Sequence, residues 1–91
     1  LIHAAQGWYI TNTSNIRLKW RLSRSADVVK YEIWISYRKR GPYFIADIIN
    51  ERNISQYTLA SMHAGKYYFV MTSVDKKGNR SLQSNEVQVG I

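Results

Sequence analysis

Apolar and polar residues alternate with a period of two along most of this chain. Ile16, Leu18, Trp20 and Leu22 are separated by Arg17, Lys19 and Arg21. An extended backbone sends successive side chains to opposite faces, so this run has one apolar face and one wholly basic face. Tyr31, Ile33, Ile35 and Tyr37 repeat the pattern, with Lys30, Glu32, Trp34, Ser36 and Arg38 opposite. Tyr67, Phe69 and Met71 do so again, leaving Tyr68, Val70, Thr72 and Val74 on the other side. Shorter runs at 43–48, read as an edge strand, and at 57–59 and 86–89 supply three more strands, the last with Val87 and Val89 inward. Trp8, Tyr9 and Ile10 offer a seventh. Turn signals separate them: Arg40-Gly41-Pro42, the polar residues 50–53, and 76–79 with Gly78 free to take a positive φ. Helical periodicity is weak everywhere. About seven short strands punctuated by turns predict an all-β, antiparallel β-sandwich.

The 91 residues suffice for one small domain, read here as 1–91. A domain of this size buries only roughly 60–65% of the surface of its unfolded chain, so it needs a well-filled core. With 45% hydrophobic and 13% aromatic residues the material is present. There is no cysteine, which removes disulfides and thiolate metal sites. A net charge of +7, from 13 Lys and Arg against 6 Asp and Glu, favours solubility and a weak attraction to polyanions. No apolar run approaches the ~20 residues of a membrane span, so insertion is not expected. The chain opens on Leu1 and carries no signal-peptide pattern, which is read as excision from a larger multidomain protein.

Several of these segments together resemble a fibronectin type III domain of the bacterial extracellular type. Trp20 stands where that family keeps a buried tryptophan on its second strand, and Tyr31-Glu32-Ile33-Trp34 is similar to its third strand. Met62-His63-Ala64-Gly65 resembles the turn before the sixth strand. Tyr67 then matches the tyrosine corner, whose hydroxyl ties back to the backbone upstream. Residues 75–81 with Ser84-Asn85 resemble the Asp-x-x-Gly-Asn-x-Ser-x-x-Ser-Asn ending of bacterial members. The resemblance runs from about Asn15 to Val89. It departs from the family in lacking a proline-rich first strand, and in Met62 and Ala64 where Leu and Pro are commoner. It implies a seven-stranded immunoglobulin-like sandwich with Trp20, Tyr31, Ile33, Tyr67, Phe69 and Met71 in the core. The adhesive Arg-Gly-Asp tripeptide of some animal members is absent.

Catalysis needs converging groups, and none is visible. His3 and His63 have no second ligand at metal-binding spacing, and the six carboxylates are scattered over different segments. Asp75 is best placed to stabilise its own turn. There is no phosphate loop and no nucleophile elbow. The expectation is a module that is not an enzyme, with no catalytic, metal or cofactor-binding residues and no cofactor.

Two surfaces remain as candidates. Arg17, Lys19 and Arg21 form a basic stripe, but no stacking aromatic interrupts it on its own strand, which disfavours nucleic acid. A solvated strand face that resists edge-to-edge association is the plainer reading. If Tyr31, Ile33 and Ile35 face the core, then Trp34, Tyr68, Val70 and Val74 face outward, an unusually apolar outer face. That face fits docking of a neighbouring domain of the parent chain, a sugar-stacking platform, or simple cover by Lys and Arg stems. The expected role is a non-catalytic spacer in a larger extracellular, cell-surface or periplasmic protein, monomeric as an isolated module. The resemblance points to a carbohydrate-active parent such as a glycoside hydrolase. The alternative is a polysaccharide- or polyanion-binding module using the basic strand or the aromatic face.

Overall fold

Alternation becomes structure at each of the seven positions. The computed structural model describes residues 7–12 and 15–91, with side chains described from residue 15 onward. The strands are β1 (Gly7–Asn12), β2 (Asn15–Trp20), β3 (Val28–Ser36), β4 (Phe44–Ile49), β5 (Gln56–Leu59), β6 (Lys66–Asp75) and β7 (Val87–Gly90). They pair antiparallel into a three-stranded sheet, β1-β2-β5, and a four-stranded sheet, β4-β3-β6-β7. The chain is an immunoglobulin-like β-sandwich. Trp8, Tyr9 and Ile10 lie in β1, paired in register with Lys19, Leu18 and Arg17.

The core lies between the sheets and takes one face of every long strand. Ile16, Leu18 and Trp20 from β2 meet Tyr31 and Ile33 from β3, Tyr67, Phe69 and Met71 from β6, and Val87 and Val89 from β7. The Trp20 and Tyr31 rings stand 5.9 Å apart and tilted, an arrangement that suits the charge distribution of aromatic faces and edges. The Tyr31 hydroxyl donates to the Arg52 carbonyl at 2.9 Å and accepts from the Ser23 amide at 3.1 Å. A buried tyrosine thereby fastens the loops at both ends of its reach.

Two apolar positions of the alternating runs are not in the core. Leu22 is exposed because β2 ends at Trp20. Tyr37 is 70% exposed because β3 ends at Ser36, where the chain turns away. Its ring lies against the outer side of Tyr67 instead, 5.7 Å between centroids.

Tyr67 forms the tyrosine corner, donating its hydroxyl to the His63 carbonyl at 2.5 Å. Tyr67→Phe keeps the packing and removes that one bond, so a loss of about 1 kcal/mol is expected in a denaturant melt. A loss above about 3 kcal/mol would mean that the hydroxyl does more than tie the turn.

Asp75 organises the turn that follows β6. Its Oδ1 accepts from the amides of Lys77 (2.9 Å) and Asn79 (2.8 Å), and Oδ2 accepts from the Asn79 side chain at 3.1 Å. Burial pushes this carboxyl up, but the hydrogen bonds from Asn79 and Lys77 outweigh it and hold Asp75 below its ordinary range. Gly78 takes φ +84° within the turn, a conformation that side chains with a Cβ disfavour.

At the opposite edge, Asp47 of β4 accepts a hydrogen bond from the Tyr57 hydroxyl of β5, stapling the open edges of the two sheets together. Asp47 pairs in register with core-facing Ile33, so a carboxylate points inward on an edge strand, a known guard against edge-to-edge association.

Candidate functional site on the outer face of the four-stranded sheet

The outer face of β3 and β6 carries Glu32 and Trp34 beside Val70, Thr72 and Val74, with Thr72 opposite Glu32 and Val70 opposite Trp34 in register. A buried carboxylate at such a place needs a partner. Glu32 is only 3% exposed and finds two. Arg80 reaches over β6 from the segment that pairs with Val74, donating Nε to Oε1 at 2.5 Å and Nη2 to Oε2 at 2.9 Å. The Thr72 hydroxyl donates to Oε1 at 2.7 Å and accepts from the Trp34 indole N–H at 2.9 Å. The Arg80 guanidinium also lies 5.2 Å from the centroid of the Trp34 ring. Arg80, foremost through its hydrogen bond, holds the Glu32 carboxyl below its ordinary range against the opposing effect of burial.

A second tie crosses the same face. Tyr43 precedes β4 at one edge of the sheet and Glu86 precedes β7 at the other, yet the Tyr43 hydroxyl donates to Glu86 Oε2. The Arg40 amide donates to the same oxygen at 2.7 Å. The turn between β3 and β4 is therefore folded over β3 and β6. Gly41 permits this: it takes φ +93°, and a Cβ there would come within 3.0 Å of the Tyr43 ring.

Burial, and next the adjoining Glu86 carboxylate, push the Tyr43 phenol up to about 12 from 10.0. A phenol whose pKa is higher in the folded chain adds stability below its unfolded pKa, and loses it as pH rises through the folded one. Alkaline unfolding should therefore steepen from about pH 10 to about pH 12, and Tyr43→Phe should flatten that limb. Superimposable pH profiles for the two proteins would show that the bond to Glu86 does not persist in solution.

These two ties correct the expected interaction face. Val70 and Val74 are 3% and 4% exposed, and so are not free to meet a partner. Their side of the strand faces outward as the alternation requires, but the Arg80 arm and the folded-over turn cover it. The cover by arginine stems considered from the sequence is thus present within the domain. Trp34 and Tyr68 are half-buried. The apolar surface left open lies farther out, on β4: Ile45 and Ile48 are exposed beside Trp34 and Glu32, and Phe44 is 60% exposed at the end of the strand.

Between the two ties lies an open cleft of about 380 Å³, with Trp34 and Thr72 at its base and Tyr43, Arg80, Leu82 and Gln83 around it. Arg80, Tyr43 and Glu86 had no visible signal in the sequence, because each acts across strands far apart in the chain. The Asp-x-x-Gly-Asn-Arg-Ser stretch contains Arg80, but the motif gives its turn and not its reach.

The remaining candidates lie elsewhere. Arg17 and Arg21 are exposed and Lys19 is half-buried on the other sheet, where Arg17 and Lys19 stand opposite Thr58 and Gln56. Trp20, Tyr31, Ile33, Tyr67, Phe69 and Met71 are all buried. His63 is an exposed turn residue, and His3 falls outside the described residues. Among the described residues no three His, Asp or Glu side chains converge as a metal site would require.

No protein-family model matches the chain, and no curated protein matches it in sequence. Solved structures share its fold. A β-1,2-glucanase from Parabacteroides distasonis aligns with a TM-score of 0.83 and 22% identity, over 99% of this chain and 13% of the glucanase. An Fn3-like protein from Clostridium thermocellum aligns with a TM-score of 0.71 and 22% identity, over 96% of this chain and 86% of its own. Pectate lyase PelI from Erwinia chrysanthemi, solved in complex with tetragalacturonic acid, aligns at 0.81 and 13% identity, over 94% of this chain and 28% of the lyase. At such identities the likeness is one of fold. The fold is of the fibronectin type III kind, and the matched part is a minor share of both the glucanase and the lyase.

Proposed function

We propose that this chain is a non-catalytic accessory module of a larger, extracytoplasmic, carbohydrate-active protein, and that it braces a neighbouring domain through its β4 edge. The observation that carries the reading is the run of exposed apolar side chains, Phe44, Ile45 and Ile48, on the strand at the end of the four-stranded sheet. Exposed edge strands are ordinarily short, charged or covered. This one has a single carboxylate, and that one points inward. Covering it with another domain of the same protein removes the anomaly. Support comes from the glucanase and the lyase, in which the corresponding fold is 13% and 28% of the chain. Bacterial origin and secretion belong to the same proposal.

The test is a pair of assays on the double variant Phe44→Ser, Ile45→Ser. In the isolated chain the melt should move by less than about 1 kcal/mol, as expected for exposed positions. In the longer protein the same changes should split one melting transition into two. An unsplit transition would count against the bracing role.

One observation favours a second reading: the basic stripe has no carboxylate partner among the described residues. Binding to a polyanion through Arg17, Lys19 and Arg21 would weaken steeply with added salt.

A further inference from the structure

The Glu32–Arg80 pair is an unusual investment for a small sandwich. Burying an ion pair gains little stability over apolar residues of the same size. What it does achieve is geometric. Two of the five guanidinium N–H donors are spent on Glu32, and the guanidinium carbon stands over the Trp34 ring, 5.2 Å from its centroid. The arginine is therefore rigid, while half of its side chain remains exposed. Its far end, formed by Nη1 and the second Nη2 proton, has no partner among the described residues. That end presents two parallel donors, the shape that a carboxylate accepts.

The surroundings supply the rest of a small-molecule site. The cleft of about 380 Å³ falls within the range of ligand pockets, roughly 300–1,000 Å³. Tyr43 forms one wall, fixed by its bond to Glu86. Leu82 stands exposed at the rim, and the Gln83 amide is exposed beside it with both a donor and an acceptor. The Thr72 hydroxyl spends its one proton on Glu32 and accepts from Trp34, so it shapes the floor and has no donor left for a ligand. An aromatic wall, an apolar rim, an amide and a fixed arginine fork match a pyranose ring: its C–H face lies on apolar surface, and its hydroxyls exchange hydrogen bonds with an amide. The free fork adds a preference for a ring that carries a carboxylate. Lys30 adds a second positive charge near Glu32, which offsets the Glu86 carboxylate held by Tyr43 and the Arg40 amide.

We propose that this cleft is a binding subsite for a hexuronate unit of an acidic polysaccharide, with Arg80 holding the carboxylate and Gln83 a ring hydroxyl. The inference rests on the reading of the chain as part of a carbohydrate-active protein, and names the class of sugar.

The experiment is an NMR titration of the 91-residue chain with a galacturonate tetramer, a neutral β-glucan tetramer and an oligothymidylate. The galacturonate should shift the Trp34 indole N–H and the Gln83 side-chain amide, and bind about tenfold more tightly than the glucan. Arg80→Lys keeps the charge but loses the fork, and should weaken galacturonate binding about tenfold. Gln83→Ala, at an exposed position that cannot disturb folding, should weaken it about threefold. Equal binding of both sugars in the cleft overturns the carboxylate preference. Shifts confined to Arg17, Lys19 and Arg21 that oligothymidylate reproduces overturn the site as a mere polyanion effect. No sugar-induced shift in the cleft up to about 10 mM overturns it entirely. None of these outcomes touches the bracing role, which is tested at β4.

Discussion

Trp20→Ala is expected to remove about 3–5 kcal/mol of stability, the usual cost of truncating a fully buried large aromatic. For a domain of this length that is a fall in Tm of roughly 15–30 °C, and a large share of the total of about 5–15 kcal/mol. Trp20 is the largest of the fully buried side chains, and it ends β2 where the strand meets Tyr31 of the opposite sheet. Its removal leaves a cavity between two sheets that cannot close, because each is held by its own hydrogen-bond ladder. Its indole N–H has no acceptor among the described residues, so Trp20→Phe forfeits volume but no hydrogen bond to them. The phenylalanine variant should lie well above the alanine variant in a urea melt. A melt of Trp20→Ala within a few degrees of the parent would deny Trp20 its central place.

The second large effect is expected at Arg80. Arg80→Ala strands a carboxylate that is only 3% exposed, at a cost of about 2–3 kcal/mol at neutral pH. This is below the range for fully buried pairs, because Arg80 is half in water and the vacated space admits solvent. The pH dependence identifies the cause. In the unmutated chain the Glu32 pKa is held below its ordinary 4.5. The pair's stabilisation is therefore complete above that value, and is lost as pH falls through the lower folded value. In the variant a lone buried carboxylate prefers its proton, and its pKa rises. The deficit of the variant should then be full at about pH 7 and smaller in acid, at a pH below the ordinary 4.5. Urea melts at the two pH values give this directly. A deficit that does not change with pH would mean that Arg80 matters only for the bulk of its stem.

The sandwich was legible because burial is periodic. The alternation of Ile16, Leu18 and Trp20, and of Tyr67, Phe69 and Met71, has one solution in an extended chain, and those side chains are buried. The tyrosine corner and the Asp75 turn were legible because both close within a few residues of their origin. The outer face was legible only in part. Alternation says which way a side chain points, not whether another segment lies over it. Val70 and Val74 point outward and are covered, because Arg80 and Tyr43 arrive from positions remote in sequence. Leu22 and Tyr37 fail for a related reason: the apolar pattern outlasts the strand that carries it. The short hydrophobic run at 43–48 was legible as an edge strand, and β4 does end the sheet order; the exposure of its Phe44, Ile45 and Ile48 side chains was not legible.

Hydrogen exchange of the β4 amides tests the central claim most directly. In the 91-residue chain, the amides of Phe44–Ile49 that do not pair with β3 should exchange rapidly, since none of the described strands lies beyond that edge. In the longer protein the same amides should slow by about tenfold or more, because a neighbouring domain covers them. Equal exchange in the two would contradict a bracing role for this edge.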